Sequence, residues 1–362
     1  MRVVVIGGLG NFGARICKRL NQEKAFEIIA TSRHRQDAGA ANIPTAVLDI
    51  DHVDFAAQLK SLAPDLVIHC AGPFQGQDYR VALASLGCKA HYVDLADGRD
   101  FVAGFAAAVG PAATLAGRLA VSGASTLPAL SSAVIDSMRA TMRPVSAIEI
   151  DIVIAPGQHA PRGVATLAAV LGYAGQAFQW RQDGAWRTVY GWQELKRERF
   201  SFGSRLAAAC DVPDLVLLPD RYPGIRTVTF RAALEVPVQH LALWAVAVCR
   251  RMGLPIRVAQ WATAFDRIGT WLNWLGTDTG GMTVRVAGAD SAGQPHWRCW
   301  ELVAGANHGP EIPCMAAVIL ARKLHRGDEW VAGAKVCMGM ITLGEFEQEF
   351  TRWDIHTSES NS

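Results

Sequence analysis

The chain begins with a short apolar run that stops at a glycine-rich turn. Residues 3–6 read Val-Val-Val-Ile, and Gly8, Gly10 and Gly13 then follow with the spacing G-x-G-x-x-G. The apolar residues after the turn recur at the spacing of one helix face, so the stretch predicts a strand, a tight turn and a helix. This combination indicates a dinucleotide-binding unit. A glycine-rich turn with only a structural role is the alternative.

Each glycine of the turn has its own task in such a unit. The first permits the tight turn, the second lets backbone N–H groups approach a pyrophosphate, and the third lets helix and strand pack closely. The helix N-terminus then presents the positive end of its dipole and its unpaired N–H donors to the phosphates. The residues predicted to bind the cofactor here are Gly8, Gly10, Asn11, Phe12 and Gly13.

Strand patterns alternate with helical patterns through the first 144 residues. Further strands are predicted at 27–31, 45–50, 91–95 and 119–122, and a buried strand that runs into a turn is predicted at 65–73. Alternation on this period predicts a parallel sheet with right-handed crossovers. Residues 1–144 are therefore predicted to form a doubly wound Rossmann domain of the α/β class.

The second predicted strand ends in Ser32-Arg33-His34-Arg35. An NAD-preferring site would have Asp or Glu at this place, where a carboxylate bonds the ribose hydroxyls. A carboxylate repels a 2′-phosphate, whereas an arginine binds it with charge-assisted hydrogen bonds. Arg33, supported by Ser32, thus favours NADP over NAD. A polar loop with solvated arginines is the alternative.

Two further turns are predicted to line the cofactor. Asp49 and Ile50 close the third predicted strand and would flank the adenine in a doubly wound sheet. The fourth predicted strand runs into a turn of small residues, which leaves room for the middle of the cofactor. The residues predicted to contact it there are Cys70, Ala71, Gly72 and Pro73.

The composition changes beyond residue 145. All eleven tryptophans lie from Trp180 onward, and residues 148–154 alternate as a strand with one wet face does. Residues 145–305 are predicted to form an α+β domain for substrate binding and dimerisation. The number of tryptophans suggests a partly apolar pocket or a homodimer surface in this domain.

The end of the chain is divided further. Residues 306–354 are predicted to form a helical and strand segment that could pack back on the Rossmann domain. Residues 355–362, which are mostly polar, are predicted to be a disordered tail.

Charge and cysteine usage exclude several classes of protein. The net charge is only +2 with no long basic run, so nucleic acid is not an expected partner. Eight cysteines without a C-x-x-C pair give neither a zinc spacing nor a disulfide framework, which predicts no metal site and a reduced, cytoplasmic protein.

The longest apolar run, 241–249, is too short to span a bilayer. A weak interfacial membrane contact of this run is the alternative to a helix packed within the protein.

Five motifs together resemble the saccharopine dehydrogenase (saccharopine reductase-like) family. They are Gly-Gly-Leu-Gly-Asn-Phe-Gly (7–13), Cys-Ala-Gly-Pro-Phe (70–74), His-Tyr-Val-Asp-Leu (91–95), Ser-Gly-Ala-Ser-Thr-Leu-Pro (122–128) and Gly-Ala-Asn-His-Gly-Pro-Glu-Ile-Pro (305–313). The resemblance implies an NADP-binding Rossmann domain and a second α+β domain that holds substrate and often mediates dimerisation. It also implies a range of chemistries, from saccharopine and related polyamine carboxylates to enoyl reduction of lipids. The resemblance thus identifies the cofactor better than the substrate.

Three side chains are candidates for proton transfer. Asp94 and Asp97 follow the fifth predicted strand, at the edge of the sheet where ligands of open α/β folds bind. His308 lies between glycine-containing turns and could reach the cleft as an acid or a substrate ligand. The alternatives are that Asp94 bonds nearby backbone N–H groups and that His308 is a buried, satisfied histidine.

The sequence therefore predicts an NADP-dependent oxidoreductase that transfers hydride to or from a small-molecule substrate, with an imine or amine favoured. An enoyl or lipid-linked reductase is the first alternative, because the second domain is apolar. A non-catalytic NADP sensor or interaction protein is the second, since a cofactor fold does not prove turnover.

Overall fold

The computed structural model describes residues 1–34, 43–141, 146–159, 168, 171–256, 261–289 and 294–361. The strands are β1 Arg2–Ile6, β2 Glu27–Ser32, β3 Thr45–Val47, β4 Leu66–His69, β5 His91–Asp94, β6 Leu119–Ser122, β7 Ser146–Ala155, β8 Ala177–Gln182, β9 Ala185–Tyr190, β10 Lys196–Phe200, β11 Gly203–Ala209, β12 Thr227–Leu234, β13 Gly280–Ala289, β14 Pro295–Ala304, β15 Gly333–Val336 and β16 Ile355–Asn361. The helices are α1 Asn11–Asn21, α2 Phe55–Ser61, α3 Arg80–Gly87, α4 Arg99–Ala116, α5 Ser131–Thr141, α6 Asp214–Arg221, α7 Pro237–Arg251, α8 Ala262–Trp271, α9 Ile312–Arg326 and α10 Leu343–Phe350.

The first of two compact units contains Met1–Leu130 and Glu311–Ile341. Its sheet has the order β15-β6-β5-β4-β1-β2-β3, and every pair of neighbouring strands is parallel. β4, β5 and β6 are buried along their whole length, as expected for strands covered on both faces. The strand order reverses between β1 and β4, and this reversal is where open α/β sheets bind their ligands.

Helix α9 returns to this unit from far along the chain. Its buried side chains include Met315, Val318 and Ile319, and it packs on α1. The thiol of Cys314 donates to the carbonyl oxygen of Phe12 at 3.5 Å. β15 follows α9 and pairs with β6 from Gly333↔Leu119 to Val336↔Ser122, so it closes one edge of the sheet.

The second unit contains Ser131–Pro310 and Thr342–Ser362. Its mixed sheet has nine described strands, in the order β10-β11-β12-β7-β13-β14-β16 with β8 and β9 attached through β12. β8 and β9 form a hairpin whose turn is Asp183-Gly184, and both turn residues have positive φ. The predicted fold class, a Rossmann domain of parallel strands followed by a second α+β domain, is confirmed.

Two sequence predictions need correction. The tail predicted at 355–362 is not disordered, because 355–361 form β16, which pairs antiparallel with β14. A polar sequence suffices there since the pairing uses backbone groups along an otherwise open sheet edge. The third strand is also shorter than predicted, so Asp49 and Ile50 lie in the turn after β3.

The helices show two further features, a side-chain cap at the start of α10 and lengths that bear on whether any helix could cross a membrane. Thr342 caps α10 through a capping box, with its hydroxyl accepting from the Glu345 N–H. Within the described part of the chain, none of the helices combines the length and apolar character needed to cross a membrane.

Candidate functional site

The glycine-rich turn after β1 leaves no space for side chains at two positions. A Cβ on Gly8 would lie 2.8 Å from the Cα of Ala30 in β2. A Cβ on Gly13 would collide with the carbonyl oxygen of Gly7, and Gly7 itself has a φ of +76°. The turn therefore brings α1 against β1 and β2 more closely than any other residue type would allow.

The N-terminus of α1 faces this turn without an acidic side chain. Gly10 occupies the N-cap and supplies no side-chain cap, and the first turn of the helix carries neither Asp nor Glu. The first backbone N–H groups of any helix have no acceptor within the helix itself. They are the donors that anionic ligands use, and no carboxylate of the first turn repels such a ligand.

The turn after β4 lies directly beside the turn after β1. A Cβ on Gly7 would be 3.0 Å from the backbone nitrogen of Ala71. The Gln77 amide holds the second turn, because its Nε2 donates to the carbonyl oxygens of Ala71 at 2.9 Å and Pro73 at 2.7 Å. Cys70 and Ala71 are half-buried, whereas Gly72 and Pro73 are exposed. The two turns meet at the reversal of strand order, where a dinucleotide would pass.

Arg33 is exposed at the end of β2 and forms no ion pair with any described residue. The Ser32 hydroxyl donates to the carbonyl oxygen of His34 at 2.5 Å, so it can support a 2′-phosphate only by giving up that bond. Arg35 lies outside the described residues. Asp49 and Ile50 are half-buried, and Asp49 Oδ1 accepts from the Asp51 N–H at 3.1 Å.

Asp94 is completely buried at the end of β5. Its Oδ1 accepts from the Gly123 N–H at 2.8 Å, the Ser122 hydroxyl at 2.9 Å and the Ala96 N–H at 3.0 Å. Burial raises the pKa of the carboxyl to about 6, although these donors act in the opposite direction. The Asp94 carboxylate thus links β5 to the turn after β6. This arrangement favours the role in which Asp94 bonds nearby backbone N–H groups over direct contact with substrate.

The sequence does not reveal that His69 joins the same buried region. His69 Nδ1 lies 3.0 Å from the Tyr92 hydroxyl, and both side chains are buried. Burial lowers the pKa of His69 to about 4, so this imidazole is neutral at pH 7. His69 and Asp94 are register partners at the ends of parallel β4 and β5, a pairing that only the folded sheet shows.

Asp97 is the exposed carboxylate of this edge. It lies three residues after Asp94, in the loop that leads to α4, and its Oδ1 accepts from Gln75 Nε2 at 3.3 Å. The two aspartates that the sequence predicts together therefore differ in kind. Asp94 is sealed inside the sheet edge, whereas Asp97 is open to a ligand.

His308 belongs to the second unit and is half-buried. Its Nδ1 accepts from the Asp354 N–H at 3.0 Å, and its ring meets Trp353 edge-on with 5.1 Å between the ring centroids. Since a backbone N–H can only donate, the proton of the neutral ring sits on Nε2. His308 thus ties the turn after β14 to the residues before β16, and Nε2 is the atom that remains for acid–base work.

Residues 3–136 match the family described as the saccharopine dehydrogenase NADP binding domain. The resemblance seen in the sequence is confirmed, and the fold of the whole chain agrees with it. No curated protein matches the chain by sequence.

Two solved structures share the fold over the full length of the chain. Saccharopine dehydrogenase (L-Glu forming) from Saccharomyces cerevisiae is 12% identical at a TM-score of 0.70, with 100% of this chain and 99% of that chain covered. Homospermidine synthase from Legionella pneumophila, solved in complex with NAD, is 10% identical at a TM-score of 0.65, with 100% and 91% covered. At such identities the likeness concerns the fold alone.

The residues around the turns after β1 and β4 fit a nicotinamide dinucleotide. Three features suit a pyrophosphate and the groups beside it. The glycines leave space that no other residue would leave, the N-terminus of α1 has no acidic residue in its first turn, and the turn that contains Ala71 adjoins it. These features support a nicotinamide dinucleotide cofactor for residues 3–136, the part of the chain that matches the NADP binding domain.

Proposed function

We propose that the protein is an NADP-dependent oxidoreductase that transfers hydride to or from a small molecule of the imine or amine type. The observation that supports it most is the meeting of the two turns after β1 and β4 at the reversal of strand order. There the N-terminus of α1 has no acidic residue in its first turn and the glycines leave room for a pyrophosphate. The family of the first unit is named for NADP binding, in agreement with this arrangement.

The preference for NADP over NAD rests on the end of β2. Arg33 is exposed there, and no Asp or Glu occupies the place that would bond the ribose hydroxyls. A guanidinium pairs with the additional phosphate of NADP through charge-assisted hydrogen bonds, which NAD cannot form. Ser32 is its supporting residue once its hydroxyl turns away from His34.

The nicotinamide, when bound, supplies or accepts a hydride. Two groups of the chain are candidates to handle the accompanying proton. Asp97 is the first, because its carboxylate is accessible after β5 and could stabilise a cationic nitrogen or move its proton. His308 is the second, through the proton on Nε2. Asp94 is a positioning residue, since it holds the Ser122–Gly123 turn.

An enoyl or lipid-linked reductase is the second candidate. It is favoured by the large apolar side chains that the second unit exposes, among them Trp271 and Trp274. Such a substrate carries no nitrogen cation, so it would need no carboxylate at Asp97. A protein that binds NADP without turnover is the third candidate.

Hydride exchange tests the proposal. The protein is incubated with NADPH that carries deuterium at both C4 positions and a panel of imines and enoyl thioesters, and the label is followed by mass spectrometry. We expect stereospecific transfer of one label to imines and none to enoyl thioesters.

Transfer to enoyl thioesters alone would replace the proposal by the second candidate. Tight NADPH binding without any transfer across the panel would favour the non-catalytic alternative. Failure to bind either nicotinamide dinucleotide would overturn all three.

A further inference from the structure

Four loops meet at one end of the second sheet. The parallel strands β7 and β12 end there, β13 begins there and β14 ends there, since Gly281 near the start of β13 pairs with Ala155 at the end of β7. The loops are 156–159, 235–236, 276–279 and 305–308. They carry two histidines, His159 and His308, of which the sequence indicates only the second as a site residue.

A buried carboxylate fixes two of these loops. The side chain of Glu235 is 6% exposed, and one of its oxygens accepts from the Gln158 N–H at 2.7 Å and the Thr277 N–H at 2.9 Å. Arg205 Nη2 donates to the other oxygen at 2.8 Å. A Cβ on Gly276 would lie 2.1 Å from the Cβ of Gln158, so the loops also pack closely. They form a rigid support for the side chains that they carry.

Two consecutive residues before β13 hold both loops that carry a histidine. The carbonyl oxygen of Thr277 accepts from the His159 N–H at 3.1 Å. The carbonyl oxygen of Asp278 accepts from the N–H of Asn307, the residue before His308, also at 3.1 Å. The two histidines therefore stand on loops that are fixed to the same short stretch of backbone.

The loop that carries His308 is strained. Ala306 and Asn307 have φ of +50° and +59°, in the left-handed region that residues with a Cβ rarely adopt. Such a conformation persists only where the surrounding structure enforces it, and it occurs most often at functional sites. The bond from Asn307 to Asp278 and the bond from the Gly305 N–H to the Asp354 carbonyl oxygen enforce it here.

The two imidazole rings are held through different nitrogens. Nε2 of His159 lies 2.8 Å from the carbonyl oxygen of Asn273, and because a carbonyl can only accept, this nitrogen carries a proton. In the neutral ring Nδ1 of His159 has a lone pair, and no described residue bonds it. His308 is the reverse, since its Nδ1 accepts from the Asp354 N–H and its Nε2–H is open.

This difference decides which ring can accept a proton. His159 can take one on Nδ1 and keep its bond to Asn273. His308 cannot take one without losing the bond from the Asp354 N–H, so it can only donate. His159 is exposed and His308 is half-buried, which leaves both rings open to a small molecule.

We propose that His159 is the base of the reaction and that the Nε2–H of His308 donates to the same substrate. The inference rests on the proposed function, hydride transfer to or from an imine or amine. In the oxidising direction, Nδ1 of His159 takes a proton from the ammonium nitrogen of the substrate, which regains its lone pair. A hydride then leaves the adjoining carbon for the bound nicotinamide, and the lone pair forms the C=N bond of the iminium product. In the reducing direction His159 returns the proton.

The pH dependence of amine oxidation tests this assignment. The probe is the amine formed from the imine that accepts most label in the hydride exchange, with NADP⁺ in excess. We expect kcat/KM of the wild type to fall as the pH is lowered through the range of about 5–8 in which imidazoles titrate, because a protonated base cannot accept a proton.

His159→Gln is the decisive variant. The side-chain amide can replace Nε2–H as the donor to the Asn273 carbonyl oxygen, but it cannot accept a proton. We expect kcat/KM to fall about 10²–10⁴-fold and the loss of activity at low pH to disappear. Urea unfolding checks that the variant is folded.

His308→Asn is the matched counterpart. Oδ1 of the new side chain can accept from the Asp354 N–H as Nδ1 does, whereas the Nε2–H is lost. This variant should have a higher KM and keep the loss of activity at low pH. His296→Gln, at the opposite end of β14, is the control and should behave as the wild type does. All variants should keep their NADPH affinity.

Three results would overturn the proposal. They are a wild type whose kcat/KM does not fall at low pH, a folded His159→Gln variant that keeps the wild-type pH dependence, and disappearance of that dependence in Asp97→Asn alone, which would assign the proton to Asp97. A wild type that transfers no hydride across the panel is a separate result, because it would overturn the proposed function and this inference with it.

Discussion

At the scale of single residues, the buried carboxyl of Asp94 makes the stability of the protein depend on pH. Its pKa is raised to about 6 by burial, above the value of about 4 for an unfolded chain. The folded protein therefore holds this proton more tightly than the unfolded protein. The stabilisation is complete below about pH 4 and is lost as the pH rises through 6.

We expect the variant Asp94→Asn, which cannot ionise, to lack this pH dependence. Between about pH 4 and pH 6 the wild type should lose roughly 2 kcal/mol of unfolding free energy through this group, and the variant should not. Urea unfolding of the cofactor-free proteins at both pH values measures the difference. Asp220→Asn, which changes an exposed carboxyl, is the control and should behave as the wild type does. If the unfolding free energy of Asp94→Asn fell with pH as that of the wild type does, ionisation of Asp94 would not be the cause of the pH dependence.

Asp97 is expected to matter for turnover. Asp97→Asn keeps the shape of the side chain and removes its charge, so turnover of an imine substrate should fall by about 10²–10⁴-fold while the NADPH affinity stays unchanged. Steady-state kinetics and a separate NADPH titration measure the two effects. Asp100→Asn, which alters another exposed carboxylate at the start of α4, is the matched control. If Asp94→Asn abolished turnover in the same assay and Asp97→Asn did not, the proton would belong to Asp94.

Arg33 is expected to set the choice of cofactor. Arg33→Ala should weaken NADP(H) binding about ten- to a hundred-fold, the equivalent of roughly 1.5–3 kcal/mol for a charge-assisted contact, and leave NAD(H) binding unchanged. Calorimetric titration of both cofactors measures the effect, with Arg197→Ala, which removes an exposed arginine of β10, as the control. An equal loss for both cofactors would show that Arg33 does not contact the 2′-phosphate.

At the scale of elements, the close contact at Gly13 leads to a paired prediction. Gly13→Ala would push α1 away from the turn after β1, so we expect at least a tenfold loss of NADPH affinity, about 1.4 kcal/mol. Gly110→Ala is the matched change in α4, where a Cβ meets nothing within 4 Å. It should leave the affinity unchanged and raise the unfolding free energy by about 0.5–1 kcal/mol. Equal NADPH affinity in both variants would contradict the close contact.

Regular elements could be predicted because their signals are local. The apolar run before Gly8 predicts β1, and Thr342 with Glu345 predicts the start of α10. The polar strand β16 could not be predicted, because backbone groups on the open edge of β14 select it and its side chains do not. The link between His69 and Tyr92 was hidden for a related reason, since it depends on the register between two strands distant in sequence.

At the scale of the whole molecule, the homodimer suggested by the tryptophan content stays a prediction. Three of the tryptophans, Trp180, Trp192 and Trp300, are each 1% exposed and fill the core. The number of tryptophans is therefore weaker support for a dimer than the sequence suggests. Sedimentation of the protein at micromolar concentration measures the state. We expect a dimer, and a species of 39.0 kDa alone would contradict it.

The return of α9 and β15 to the first unit has a consequence for how the chain is made. The first 130 residues leave the ribosome well before residues 311–341, which complete their sheet. At synthesis rates of roughly 5–20 residues per second, the interval is about 10–40 s. During that time β6 is an open edge, and the face of α1 that packs on α9 is uncovered. Such a nascent chain is prone to associate with its neighbours, so the yield of folded protein should depend on the rate of translation and on chaperones that shield the incomplete sheet.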